Sequence, residues 1–275
     1  MHRLASLLGL ALALAPLAAR ADAPQADRGA EPDTAAARPD VWTGVERPWL
    51  YAPDPTAPPP GHVIAGVSVG YAQVDRGAAR PFAGDIAHAG AVFGAGAEVG
   101  VLRHVSLQAE GLLSGTGASA PLSAGATAGA SFYPLRAESP VDVAMSAGYL
   151  RELGGGNGAW ARAAIAGDLG RARLSVTTLG ELVFEPGRDG MDLLVTSGVS
   201  YALLPALRLG AEYVVQDLEG AWDPEEADGG IRHFVGPTAA LELLAHRAHL
   251  VMGPAFGLSQ GSPRLLGRVA ALYSF

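Results

Sequence analysis

The 275-residue chain contains no cysteine. That excludes a disulfide scaffold, thiolate metal sites, a cysteine nucleophile and a lipid anchor on an N-terminal cysteine. It contains no lysine either: all 19 basic residues are arginine. With abundant Ala, Gly and Pro, that bias reads as the mark of a GC-rich genome. Charge is sparse, 17% of residues, and its balance is acidic, −8. A nucleic-acid binder needs a basic face, so this class is excluded. Long apolar runs of the helical kind are missing beyond the N-terminus. The longest uncharged stretch, Gly111 to Leu135, is rich in Gly, Ser and Thr and holds Pro121, which makes it a poor spanning helix.

What is present begins with an export signal. Met1-His2-Arg3 is positive, Leu4 to Leu17 is apolar, and Ala19-Arg20-Ala21 has the small-x-small pattern of a cleavage site. The sequence therefore predicts a secretory signal over residues 1–21, cut after Ala21. Removing Arg3 and Arg20 takes the net charge from −8 to −10. Residues 22–60 follow as a periplasmic tail or linker. Pro24, Pro32, Pro39, Pro48, Pro53, Pro55 and Pro58 to Pro60 forbid a hydrogen-bonded ladder there. Trp42, Trp49 and Tyr51 are its aromatic anchors, either tucked against a rim or loose in a floppy tail.

From residue 61 to 275 the composition is uniform and its period is two. Ala89, Ala91, Phe93, Ala95, Ala97 and Val99 alternate with Gly90, Val92, Gly94, Gly96 and Glu98; Leu207, Leu209, Ala211, Tyr213 and Val215 alternate with Arg208, Gly210, Glu212, Val214 and Gln216. Alternation sends the two sets to opposite faces of a strand. The pattern predicts twelve strands, at about 63–74, 89–101, 105–115, 122–133, 141–151, 159–168, 172–184, 191–203, 207–217, 231–243, 249–258 and 265–275. Each has the length a tilted strand needs to cross a bilayer. Short connections alternate with mostly longer ones rich in Gly, Asp and Pro, as in an up-and-down transmembrane β-barrel. Aromatic residues gather at strand ends: Tyr71, Tyr149, Phe184, Tyr213 and Phe256 at one interface, Phe132, Tyr201, Tyr273 and Phe275 at the other. Phe93 falls mid-strand. A soluble β-sandwich with one wet face is the competing fold.

The chain ends Arg268-Val269-Ala270-Ala271-Leu272-Tyr273-Ser274-Phe275. A terminal Phe preceded by alternating apolar and aromatic positions resembles the C-terminal assembly signal of bacterial outer-membrane β-barrel proteins. The resemblance spans residues 61–275 in pattern, together with the signal peptide, and points to no subfamily. It implies residence in outer-membrane lipid and insertion by the barrel-assembly machinery, with Tyr273 and Phe275 in the recognised end.

On the face predicted to line the lumen stand Glu98, Gln108, Glu110, Asp142, Arg162, Arg173, Glu181, Asp192, Arg208, Glu212, Arg232, Glu242 and Arg268. They either select a passing solute or pair with one another and close the interior. The leading expectation is a narrow porin-like channel for small solutes. The alternative is a closed structural or interaction barrel of the envelope, and the third reading is an outer-membrane hydrolase. No catalytic set is expected: His62, His88, His104, His233, His246 and His249 sit mostly at strand ends, and no Ser has a recognisable partner spacing. No cofactor or metal is expected. Glu219, Asp223, Glu225, Glu226 and Asp228 fit no calcium-loop pattern and read as a solvated acidic loop. The Gly154-Gly155-Gly156-Asn157-Gly158 run reads as a flexible hairpin loop.

Overall fold

The computed structural model describes Tyr51 and residues 55–73, 90–115, 123–135, 139–153, 156–184, 191–222, 230–244, 247–259 and 262–275. Ala21, Trp42, Trp49, His88, Asp223, Glu225, Glu226, Asp228 and His246 lie outside them.

Twelve antiparallel strands close into one barrel. They are β1 (Val63–Gln73), β2 (Gly90–Leu102), β3 (Val105–Gly115), β4 (Ser123–Phe132), β5 (Val141–Leu153), β6 (Asn157–Leu169), β7 (Ala172–Val183), β8 (Asp192–Leu204), β9 (Leu207–Gln216), β10 (Arg232–Leu243), β11 (Ala248–Gly257) and β12 (Leu265–Ser274). All twelve fall where the alternation puts them. Closure is made by β1 on β12, with Ile64 opposite Ser274 and Gln73 opposite Leu265. Full closure satisfies every edge, which a strand in hydrocarbon requires. Among the described residues no helix is long and apolar enough to cross a membrane.

Local chemistry sets the connections. Gly170 has φ +60° in the two-residue Gly170-Arg171 turn between β6 and β7, where a hairpin needs a residue free of Cβ. Register shifts of bulge type occur near Gly100 and Ala202, both close to tight turns. The tight turns share one end of the barrel with the start of β1 and the end of β12. The longer connections share the other, here called the loop end. In outer-membrane barrels the turn end faces the periplasm.

The register separates the two faces. Val67, Val69, Leu107, Ile165, Leu174, Val176, Leu209 and Val269 point outward and remain exposed, as lipid-facing side chains do. Tyr71, Tyr149, Phe184 and Phe256 form an exposed outward set at the loop end, and Phe132, Tyr201 and Phe275 one at the turn end. Phe93 also points outward, in mid-strand.

Candidate functional site

The interior has two unlike walls. On β1, β2, β4 and β5 the inward positions include Gly66, Ser68, Gly70, Gly94, Gly96, Gly125, Thr127, Gly129 and Gly148. On β7 to β10 they include Thr177, Glu181, Leu194, Thr196, Arg208, Glu212, Val214 and Phe234. The second wall is packed: Phe234, Val214, Leu194, Ala72, Ala255 and Leu266 form one buried apolar cluster, and Phe234 is 0% exposed. Ser68, Gln108, Glu110, Thr127, Arg162 and Arg268, which face the first wall's side of the lumen, are half-buried rather than buried.

The thirteen residues expected on the lumenal face stand in the inward register of their strands. Among the half-buried residues the Arg162 guanidinium donates to Gln108 Oε1 at 3.2 Å and to Ser146 Oγ at 3.3 Å, and Arg268 donates to Ser68 Oγ at 3.3 Å. Glu110 lies in the field of both Arg162 and Arg268. Arg162 also stands over the Trp160 ring, 5.5 Å from its centroid. That ring is seated in a niche: a Cβ on Gly129 would come within 2.5 Å of it, and one on Gly148 within 2.8 Å.

At the turn end Arg173 bridges Asp142 at 2.7 Å and Asp168 at 2.8 Å. Glu98 accepts from Ser106 Oγ at 2.6 Å and from the Tyr133 hydroxyl. Glu242 is buried near the turn end of β10. Asp168, Tyr133, Trp160 and Phe234 are lumenal residues that the sequence reading does not single out. The alternation that places Arg162 inward carries Trp160 and Asp168 with it, so that signal was available.

At the loop end Glu181 stands opposite Asp192, and Asp192, Asp217 and Glu219 lie together. The expectation of a solvated loop does not hold for Glu219, which is 2% exposed. Asp217, at φ +56°, turns the chain into the short 3-10 helix Leu218–Ala221, and Glu219 reaches back to accept from the Leu193 N–H at 2.8 Å. Burial pushes its carboxyl up to about 7; the bond from Leu193 opposes this, and the charges of Asp217 and Asp192 add to it. Asp192, Asp217 and Glu219 place carboxylate oxygens within 4.8 Å of one another, hard donors of the type a divalent cation takes. Protein groups already serve two of them: Leu193 bonds Glu219, and Arg232 Nε lies 3.2 Å from Asp217.

Part of the proline-rich stretch lies within the barrel. At the turn end Gly61 N–H donates to Gly100 O at 2.8 Å, and Pro60 bridges Gly100. Ala57 packs against the buried Tyr133, Ala144 and Ala164, and Thr56 Oγ1 accepts from Arg173 at 3.3 Å. Pro55 is fully buried. Tyr51 packs on the apolar cluster around Phe234 and on the Ala240 and Val251 pair, and its N–H donates to Glu212 Oε1 at 3.2 Å. Outside the lumen, the His233 ring meets the Tyr213 hydroxyl at 2.7 Å, while Ser259 and Ser262 bond the backbone of His233 rather than its imidazole.

A closed twelve-stranded barrel, apolar outside, ringed by aromatics and carrying its charged side chains within, defines the class: a transmembrane β-barrel of the outer-membrane type. Among solved structures, the fold is similar to the KdgM porin in complex with disordered oligogalacturonate (TM-score 0.52, 11% identity, 78% of this chain and 99% of that one). It is likewise similar to the COG4313 outer membrane channel from Pseudomonas putida F1 (TM-score 0.56, 13% identity, 81% and 98%). At such identities the likeness concerns the fold. No protein-family model matches the sequence, and no curated protein matches it.

Proposed function

We propose that this chain is an exported, porin-like outer-membrane channel for small solutes, whose passage runs down the glycine-lined wall of β1 to β5. The carrying observation is that the inward Ser68, Gln108, Glu110, Thr127, Arg162 and Arg268 keep partial exposure, whereas Thr177, Thr196, Val214 and Phe234 across the barrel are buried. Among the half-buried residues, Arg162 and Arg268 outweigh Glu110, and Glu98 is engaged by Ser106 and Tyr133. The loop-end carboxylates of Glu181 and Asp192 therefore set ion preference, because low-dielectric walls focus their potential on a passing ion. The channel conducts weakly and prefers cations. Reversal potentials across a KCl gradient in planar bilayers test this. Glu181→Gln with Asp192→Asn should reduce the preference, and an anion preference would refute the charge argument. The packed wall of Phe234, Val214 and Thr196 favours a second reading, a closed structural barrel. No current from either the full chain or a tail-deleted form would support it. The hydrolase reading has no serine–imidazole contact behind it at His233.

The same proposal includes the route. The signal is cut after Ala21, residues 22–60 start in the periplasm, and the barrel-assembly machinery takes the strand ending in Tyr273 and Phe275. N-terminal sequencing of the membrane-embedded protein checks the cut: Asp22 is expected, and an intact Met1 would overturn it.

A further inference from the structure

We infer that Tyr51 and Pro55–Pro60 form a plug that enters the lumen from the turn end and occludes the passage, and that the channel opens when they withdraw. The inference rests on the channel reading above.

Three observations carry it. First, the segment touches the wall nearly all the way round: Gly100 on β2, the Tyr133–Ala144–Ala164 cluster of β4 to β6, Arg173 on β7, Glu212 on β9, and through Tyr51 the apolar cluster of β1 and β8 to β12. It rises from the turn-end mouth at Gly100 to mid-height, since Glu212 stands opposite Gly236 near the middle of β10. Second, the wall is shaped for it. A Cβ on Gly100 would lie 2.2 Å from Pro59 O and 2.6 Å from Pro58 O, so only glycine lets the segment lie there unshifted. Third, its attachment is of a kind that can release. Pro55, Pro58, Pro59 and Pro60 have no N–H to donate, so the segment cannot be knitted into the sheet as a thirteenth strand. Beyond the single backbone bridge of Pro60 to Gly100, its contacts include side-chain packing, the bond from Tyr51 to Glu212 and the bond from Arg173 to Thr56. Withdrawal leaves all twelve strand pairings intact.

The absence of cysteine makes a lock straightforward. Ala57→Cys paired with Ala144→Cys should join plug to wall when oxidised and free it when reduced. KCl conductance in planar bilayers is read for four forms: the full chain, a chain lacking residues 26–58, Gly100→Ala, and the cysteine pair in both redox states. The deletion and Gly100→Ala should raise the mean current several-fold. Oxidising the cysteine pair should abolish the current and dithiothreitol should restore it. If the deletion does not assemble, the redox comparison decides, because it uses one folded protein. Equal currents in all forms overturn the plug and leave the channel standing. No current in any form, the deletion included, overturns the channel reading and the plug with it.

Discussion

Replacing Arg173 by Met tests how the charged interior is held together. Arg173 is 5% exposed and gives Asp142 and Asp168 charge-assisted bonds of 2.7 and 2.8 Å, with a third bond to Thr56. A charge-assisted bond contributes about 1.5–3 kcal/mol. Removing one partner of a buried pair costs about 3–5 kcal/mol, because the remaining charge stays desolvated. Here two carboxylates are left, at 26% and 22% exposure, so water partly rehydrates them. The expected loss for Arg173→Met is therefore the lower figure, about 2–3 kcal/mol. Arg173→Lys should lose a large part of this, since one ammonium cannot reproduce the two-pronged bridge. The assay is reversible urea unfolding in lipid vesicles, followed by tryptophan fluorescence. Adding Asp142→Asn and Asp168→Asn to Arg173→Met removes the two carboxylates that have lost the guanidinium and should restore more than about 1 kcal/mol. A loss below about 1 kcal/mol for the single variant, or a triple variant less stable than the single, would refute the reasoning.

Gly148→Ala should cost about 1–3 kcal/mol in the same assay, because its Cβ would meet Ala128 O at 2.1 Å and the Trp160 ring at 2.8 Å. Gly267→Ala, whose Cβ meets nothing within 4 Å, serves as the control. The raised carboxyl of Glu219 gives a pH dependence with a definite sign. The folded state binds its proton up to about pH 7, above the ordinary value of 4.5, so stability falls as pH rises through that window. Glu219→Gln should flatten the change in unfolding midpoint between pH 5 and pH 8, and an unchanged slope would count against the assignment. Deleting Phe275 removes the N–H that donates to Val63 O at 2.9 Å and the ring lying edge-on to Tyr273. Assembly should suffer more than export, seen as exported protein without heat-modifiable gel mobility; normal heat-modifiable yield would refute it.

The barrel itself was legible because a strand half in lipid and half in a lumen must alternate, and every strand does. Boundaries fall within two residues, and Val105–Gly115 starts and stops where the pattern does. What alternation does not convey is depth and crowding. It puts Val214 and Phe234 on the inward face without saying that they pack together and close that side. It cannot show that Glu219 folds back, because the cause is local: a left-handed Asp217 and an unsatisfied Leu193 N–H within reach. The proline-rich stretch was read from its missing donors, which bars a ladder. A chain without a ladder can still be buried when a lumen supplies the walls, and Pro55 is buried in that way.

Strand number leaves the bore undecided, since about 8 strands fill with side chains and about 16–18 leave an aqueous channel. The inward glycines decide it. Apart from Gly90, at φ +87° where β2 begins, none in the strands has a positive φ. Each costs roughly 0.5–1 kcal/mol relative to Ala in a strand, so their recurrence on the inward face calls for a spatial reason. Two reasons are distinguishable. Gly129, Gly148 and Gly100 seat a neighbour, and a Cβ would collide with it. Gly70 seats nothing: a Cβ there would meet only Gly267 O at 3.5 Å and Arg268 Cγ at 3.9 Å, ordinary contacts. Its missing side chain leaves open space beside Ser68 and Arg268, on the proposed passage. Gly70→Leu should therefore keep unfolding stability within about 0.5 kcal/mol, or improve on it, while narrowing the passage. In the tail-deleted chain its single-channel current should fall well below that of Gly70→Ala. A Gly70→Leu barrel of unchanged stability and unchanged current would show that solute does not pass along this wall.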